Sequence, residues 1–254
     1  SSMTILEKII EAKHRRIGIQ KLSNSFTDHY ISSNTNIDTP RFFSSLNNCS
    51  SDFKIIAEMK KASPSAGIII NDYKPEDLAL GYEAKGYTNL SILTEEDHFL
   101  GAISHITKVR KVSDLPILQK DFIVDEWQIY QAKTIGVDCI LLISEILTKD
   151  EIDSFVKTAK TLKLDVLLEF HDELEIEKIK DVELDYIGIN NRNLRTLDTD
   201  INHCLTIRDK YHKELNNFEI IAESGFKSTM ELENYRSNGI ELFLIGESIL
   251  KEKL

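Results

Sequence analysis

Cysteine, proline and glycine are all scarce in this chain, at three, four and ten residues in 254. Cys49, Cys139 and Cys204 are odd in number and far apart, with no C-x-x-C pair and no histidine at zinc-ligand spacing beside them. That pattern excludes a disulfide framework and a structural zinc site, and reads as reduced thiols of a cytoplasmic protein. His98, His105, His171, His203 and His212 share no ligand spacing, so no metal is expected. No apolar run approaches the roughly 18 residues that a membrane span needs. The opening "SSMTILEKIIEAKHRR" lacks the apolar centre of a secretory signal. An excess of positive charge is missing too: 31 Lys and Arg face 42 Asp and Glu, for a net charge of −11. Nucleic acid and anionic membranes are therefore poor partners, and an anionic small molecule would have to meet a local cluster of cations.

What the chain does have is alternation. Eight short apolar, β-branched-rich runs recur, at 54–60, 89–95, 116–122, 139–144, 165–170, 186–191, 219–224 and 242–247. Their near-continuous hydrophobicity suits strands covered on both faces, as in a parallel sheet crossed by helices. Helical stretches with boundary signals lie between them. "KPEDLALGYEAKG" has Pro75 in its first turn and Gly86 past its end, and "TKDEIDSFVKTAKTLK" opens on Thr148 as an N-cap followed by acids. Residues 4–22 read as an amphipathic helix, the polar 23–43 stretch reads as a loop, and only "GESILKEKL" remains for an eighth helix. The expected organisation is one domain over 1–254: an N-terminal helix-and-loop extension over 4–50, then a repeat over 51–254 whose last helix is abbreviated. With so short an ending, the N-terminal helix is one candidate to cover the eighth strand.

Pattern alone leaves two α/β architectures, an open doubly wound sheet or a closed (β/α)8 TIM barrel, and about 250 residues suits the barrel as a single domain. The polar residues favour the barrel. Glu58, Lys60, Glu95, Lys120, Ser144, Glu169, Asn190, Glu223, Ser224 and Glu247 all fall at C-terminal ends of strands, where barrel active sites gather. No G-x-G-x-x-G or P-loop follows the first strand. Because side chains alternate along a strand, Glu58 and Lys60 share a face with Ile56, Lys120 with Leu118, Glu169 with Leu167, Asn190 with Gly188 and Glu223 with Ile221. One charged pair at a strand end is ordinary surface chemistry; five strands ending in an inward acid, amide or ammonium read as a binding or catalytic mouth. Gly225 in "ESGFKS" and Gly246 in "IGESIL" follow the seventh and eighth strands, at the loops where barrels hold phosphate with backbone N–H groups.

Six stretches, "IIAEMKKASPSAG", "LQKDFIVDEWQI", "LLEFHDELE", "IGINNRNLRTLDTD", "IAESGF" and "FLIGESIL", together resemble the indole-3-glycerol phosphate synthase family, in order at strands 1, 3, 5, 6, 7 and 8. The resemblance implies closure of the indole ring of 1-(2-carboxyphenylamino)-1-deoxyribulose 5-phosphate, with loss of carbon dioxide and water and with no cofactor. It also implies roles. Lys120 would be the general acid, Lys60 would hold the substrate's carboxylate and phosphate side, and Glu58 would pair with Lys120 and keep it protonated. Glu169 would take part in proton transfer during rearomatisation and dehydration, with Asn190 and Glu223 on the sugar hydroxyls. Ser63 would lie near the carboxylate, Arg192 in the loop after strand 6, and Phe99 and Phe122 beside the aromatic ring. Ser224, Gly225, Gly246 and Glu247 would fall at the phosphate cradle, although some relatives carry Ser where this chain has Glu247. The competing phosphoribosylanthranilate isomerase family resembles a Cys and Asp pair at strand ends, whereas the first strand here ends in Glu58 and Lys60 with no Cys nearby. Trp127 reads as a helix packing residue. The oligomeric state stays open, a monomer being compatible with the sequence.

Overall fold

The computed structural model describes residues 2–24 and 39–246. All eight apolar runs are strands: β1 (Lys54–Met59), β4 (Asn89–Leu93), β5 (Ile117–Lys120), β6 (Cys139–Ile143), β7 (Asp165–Phe170), β8 (Tyr186–Asn190), β9 (Glu219–Glu223) and β10 (Leu242–Ile245). They pair in parallel, each with its sequence neighbour, and Lys54 to Ala57 of β1 lie opposite Leu242 to Ile245 of β10, which closes the ring. The expected (β/α)8 barrel is therefore present. Residues 247–254, with the abbreviated last helix and Glu247, lie outside the described residues. Among the described residues no helix is long and apolar enough to cross a membrane, and no cluster of His, Cys, Asp or Glu could hold a metal ion.

Strand alternation divides the barrel core into two. Ile56, Leu118, Leu141, Leu167, Ile221 and Leu244 pack together inside the ring. Their neighbours Ala57, Ile117, Leu142, Leu168, Ala222 and Phe243 belong to a second cluster with the crossover helices. Each strand is thus apolar on both faces because each face has its own partner, and a one-residue slip would exchange the two sets. The crossover helices include α3 (Pro75–Ala84), α4 (Ile103–Arg110), α5 (Glu126–Thr134), α6 (Lys149–Thr161), α7 (Ile176–Ile179), α8 (His203–Lys210), α9 (His212–Leu215) and α10 (Thr229–Ser237). They are numbered after two N-terminal helices, α1 (Ile5–Ser23) and α2 (Phe42–Asn47). Thr148 caps α6 as its sequence suggests: its hydroxyl accepts from Glu151 N at 3.1 Å while Glu151 Oε1 accepts from Thr148 N at 2.9 Å.

The N-terminal extension differs from expectation in two places. The 23–43 loop reading fails at its end, because Phe42 and Phe43 begin α2 and, with Leu46, bury themselves against the barrel floor. Each apolar side chain removed from water there contributes roughly 1.5–3 kcal/mol. The backbone N–H groups of Phe42 and Phe43 donate to Asp165 Oδ2, Phe43 stacks on Tyr186 at 3.9 Å, and Arg41 pairs with buried Asp138 at 2.8 Å. Second, α1 lies at the barrel mouth, with Leu6 and Ile9 in the inner core cluster and its charged face against the loops after β4 and β5. Its Ile17 packs on Val124 and Trp127, and Lys13, Arg16 and Lys21 reach Asp121, Asp97 and Asp125 in the loops after β4 and β5. Trp127 is the packing residue its context suggests, with its indole N–H donating to Asn24 O. The extension therefore closes the bottom of the barrel with α2 and walls its mouth with α1.

Candidate active site

At the C-terminal mouth a cavity of about 520 Å³ opens between α1 and the loops after β1, β5, β8, β9 and β10. The polar wall includes Glu58, Lys60, Ser63, Lys120, Asn190 and Arg192. Facing them are the apolar Ile5, Leu6, Ile9, Phe99 and Phe122. Phe99 and Phe122 stand 6.3 Å apart between ring centroids, tilted by 41°. An aromatic, anionic molecule would find both aromatic rings and cations in this lining.

Glu58 organises the polar wall. Its Oε1 accepts from Lys120 Nζ at 2.9 Å and from Ser91 Oγ at 3.3 Å, and its Oε2 accepts from Lys60 Nζ at 3.3 Å. Burial works to raise the Glu58 carboxyl, but the two ammoniums prevail and hold it down to about 2. Lys120 shows the reverse balance: burial disfavours its charge, yet Glu58, Glu169 and Glu223 together raise its pKa above the ordinary lysine value. Side-chain exposure of 19 % leaves this ammonium open to the cavity, charged and held by one carboxylate.

Glu169 and Glu223 are buried at 2 % and 1 % exposure directly behind the cavity wall, and Glu169 is joined to it through Asn190. Asn190 Nδ2 donates to Glu169 Oε2 at 3.4 Å, while Asn190 Oδ1 accepts from Ser224 Oγ at 2.8 Å and from Arg192 N at 2.9 Å. The Arg192 guanidinium donates to Ser65 Oγ at 2.9 Å and Thr199 Oγ1 at 3.0 Å, so it spans the cavity from the β8 loop to the β1 loop. There the "KASPSAG" segment carries a two-residue antiparallel hairpin, β2 (Ala62–Ser63) and β3 (Gly67–Ile68), and Ser63 Oγ accepts from Ala66 N at 3.1 Å.

Ser224 has φ of 75° and Gly225 φ of 89°, so the chain after β9 turns through the left-handed region. For Ser224 that conformation is uncommon, and it turns this loop at the cavity. At Gly246, just past β10, a Cβ would stand 3.1 Å from Glu58 Oε2 and 3.4 Å from Lys60 Nζ, so a side chain there would press on the ion pair. Of the fourteen site residues the sequence suggested, thirteen lie on or directly behind this one cavity, and Glu247 is outside the described residues.

A family model for indole-3-glycerol phosphate synthase matches residues 6–253. The chain belongs to the indole-3-glycerol phosphate synthase family. Relatives of that name are 40% identical in Campylobacter fetus subsp. fetus, over 92% of this chain and 86% of the relative, and 36% identical in Endomicrobium trichonymphae, over 97% and 95%. Another, from Prochlorococcus marinus subsp. pastoris, is 39% identical over 98% of this chain and 85% of its own. Among solved structures, the N-acetylmannosamine-6-phosphate 2-epimerase from Clostridium perfringens superposes with a TM-score of 0.60 at 10% identity, covering 85% of this chain and 93% of that one. At that identity it supports the barrel fold and nothing finer.

Several residues of this family member's site were not picked out from sequence. Ser91, opposite Glu58 in the β1–β4 register, is one; a serine inside an apolar strand was the available signal. Ile5, Leu6 and Ile9 of the α1 wall are others, invisible because the contacts that seat α1, such as Lys13 to Asp121, span 108 residues. Glu95, read as close to the mouth, spends its carboxylate on the backbone N–H groups of Asp97, His98 and Phe99, which shapes the loop that presents Phe99.

Proposed function

We propose that this mouth closes the indole ring of 1-(2-carboxyphenylamino)-1-deoxyribulose 5-phosphate, a carbon–carbon lyase reaction that releases carbon dioxide and water. The observation that carries the reading is the Lys120 ammonium. It is paired with Glu58 at 2.9 Å and faces a cavity that also holds Lys60 and two aromatic rings. A raised pKa keeps Lys120 protonated at neutral pH, which suits delivery of a proton to the ketone oxygen as the aromatic carbon attacks it. Lys60 and Ser63 receive the benzoate carboxylate, and Phe99 and Phe122 hold the ring. Loss of carbon dioxide then restores aromaticity, and Glu169 accepts the proton whose departure completes dehydration.

The phosphate is held by backbone N–H groups of Ser224, Gly225 and Gly246, with Arg192 folding over the sugar and Asn190 and Glu223 supporting its hydroxyls. A small-molecule substrate and a cytoplasmic setting follow from this reading. The test is direct. Purified protein mixed with the carboxyphenylamino deoxyribulose phosphate should develop indole fluorescence together with released carbon dioxide, whereas an unchanged signal with folded protein rejects the activity.

A further inference from the structure

Glu58, Glu169 and Glu223 from β1, β7 and β9 face Lys60, just past β1, and Lys120 from β5 in one buried cluster, so three carboxyls meet two ammoniums. Glu58 takes both ammoniums as partners. Glu223 has no hydrogen-bond donor to either oxygen among the described residues, and Glu169 Oε1 has none. Two buried carboxylates can only accept, and like charges at close range cannot both persist. Gly188 explains how the two come together. It lies opposite Glu169 in the β7–β8 register, and a Cβ on it would sit 2.0 Å from Glu223 Oε2, so Glu223 leans across the glycine into hydrogen-bonding reach of Glu169.

We propose that Glu169 and Glu223 share a single proton, held on Glu223 in the free protein, and act as one acid–base pair. The proton supplies the donor the pair lacks and brings the five-residue cluster to electrical neutrality. Burial first, and the neighbouring Glu169 second, push the Glu223 carboxyl well above its ordinary range, in agreement with that placement.

Resting on the ring-closure reading above, the pair serves the dehydration step. Glu169 takes the carbon-bound proton, the freed electron pair forms the ring double bond, and the carbon–oxygen bond breaks. The leaving hydroxyl departs as water with the Glu223 proton. One proton has entered the pair and one has left; the proton now on Glu169 returns to Glu223 across their contact. Lys120, which gave its proton in ring closure, is recharged from solvent.

The test reads the free protein by infrared spectroscopy at neutral pH in light and heavy water. Glu145, another buried carboxyl, is raised to about 7 and is controlled with Glu145→Gln. A buried protonated-carboxyl band, shifted by deuterium, should be present in the wild type and in Glu145→Gln and lost when Glu223→Gln is added to Glu145→Gln. If Glu223→Gln does not fold, carbon-13 labelling of glutamate carboxyls in Glu145→Gln reads the same state by NMR, where one glutamate should keep the chemical shift of a protonated acid. A band that survives in the Glu145→Gln, Glu223→Gln double variant, or a full set of ionised glutamates in labelled Glu145→Gln, overturns the proposal. Neither measurement uses substrate, so failure here is distinct from failure to make product.

Discussion

Replacing Lys13 by methionine should destabilise this protein more than any exposed lysine substitution, because the ammonium is buried between two carboxylates. Lys13 Nζ lies 2.6 Å from Glu96 Oε1 and 3.0 Å from Asp121 Oδ1, with side-chain exposures of 4% for Lys13 and 3% for Asp121. Burial opposes the charge of Lys13, but Asp121 and Glu96 outweigh it and raise the pKa, so the pair stabilises the fold below the ordinary lysine value and fades as pH rises beyond it. Breaking one partner of a buried pair costs about 3–5 kcal/mol. Asp121 keeps the Thr94 hydroxyl at 2.6 Å and the Phe122 N–H at 2.7 Å, which places the loss at the low end, about 3 kcal/mol. For a chain of this size that is a fall of roughly 6–12 °C in thermal midpoint. Urea and thermal unfolding of Lys13→Met, Asp121→Asn and the double variant would measure it. The double variant should lose less than the sum of the singles. A Lys13→Met protein within about 0.5 kcal/mol of wild type, or strictly additive losses, would refute the reasoning.

Three further outcomes follow from the same geometry. Glu58 is held from an ordinary 4.5 down to about 2, so its contribution is complete above the higher value and disappears as pH falls to the lower. The stability gap between wild type and Glu58→Gln should therefore shrink by about 3 kcal/mol across that window in urea titrations at stepped pH. Gly188→Ala would set a methyl 2.0 Å from Glu223 Oε2 and force that side chain aside; unfolding should show a loss of about 1–3 kcal/mol, and turnover should drop at least about tenfold. Arg192→Ala removes the bridge to Ser65 and Thr199 while touching no buried group, so steady-state kinetics should show KM rising roughly tenfold with kcat and thermal midpoint nearly unchanged.

The barrel was legible because its signals are local. Near-continuous apolar runs mark strands covered twice, and parity along "KIIAEMK" is enough to put Ile56, Glu58 and Lys60 on one face. Extending parity to β5, β7, β8 and β9 brings Lys120, Glu169, Asn190 and Glu223 to the same end of the ring. What escaped was set by distance between strands rather than along them. That Glu169 and Glu223 meet depends on barrel stagger and on the missing side chain of Gly188, neither of which has a sequence period. The α2 helix was hidden by the polar run before it, although Phe42, Phe43 and Leu46 already have helical spacing. Likewise α1 was legible as a helix, but its destination was not: a charged helix face can pair with any acidic rim, and the choice of Asp121 and Glu96 is tertiary.

Because ring closure is assigned to the Lys120 ammonium, the decisive measurement is product formation by wild type and Lys120→Met under saturating substrate, with folding of each checked by circular dichroism. Loss of the acid should slow turnover by about 10²–10⁴ while the variant remains folded. A folded Lys120→Met protein that makes indole product within about tenfold of the wild-type rate would contradict that assignment.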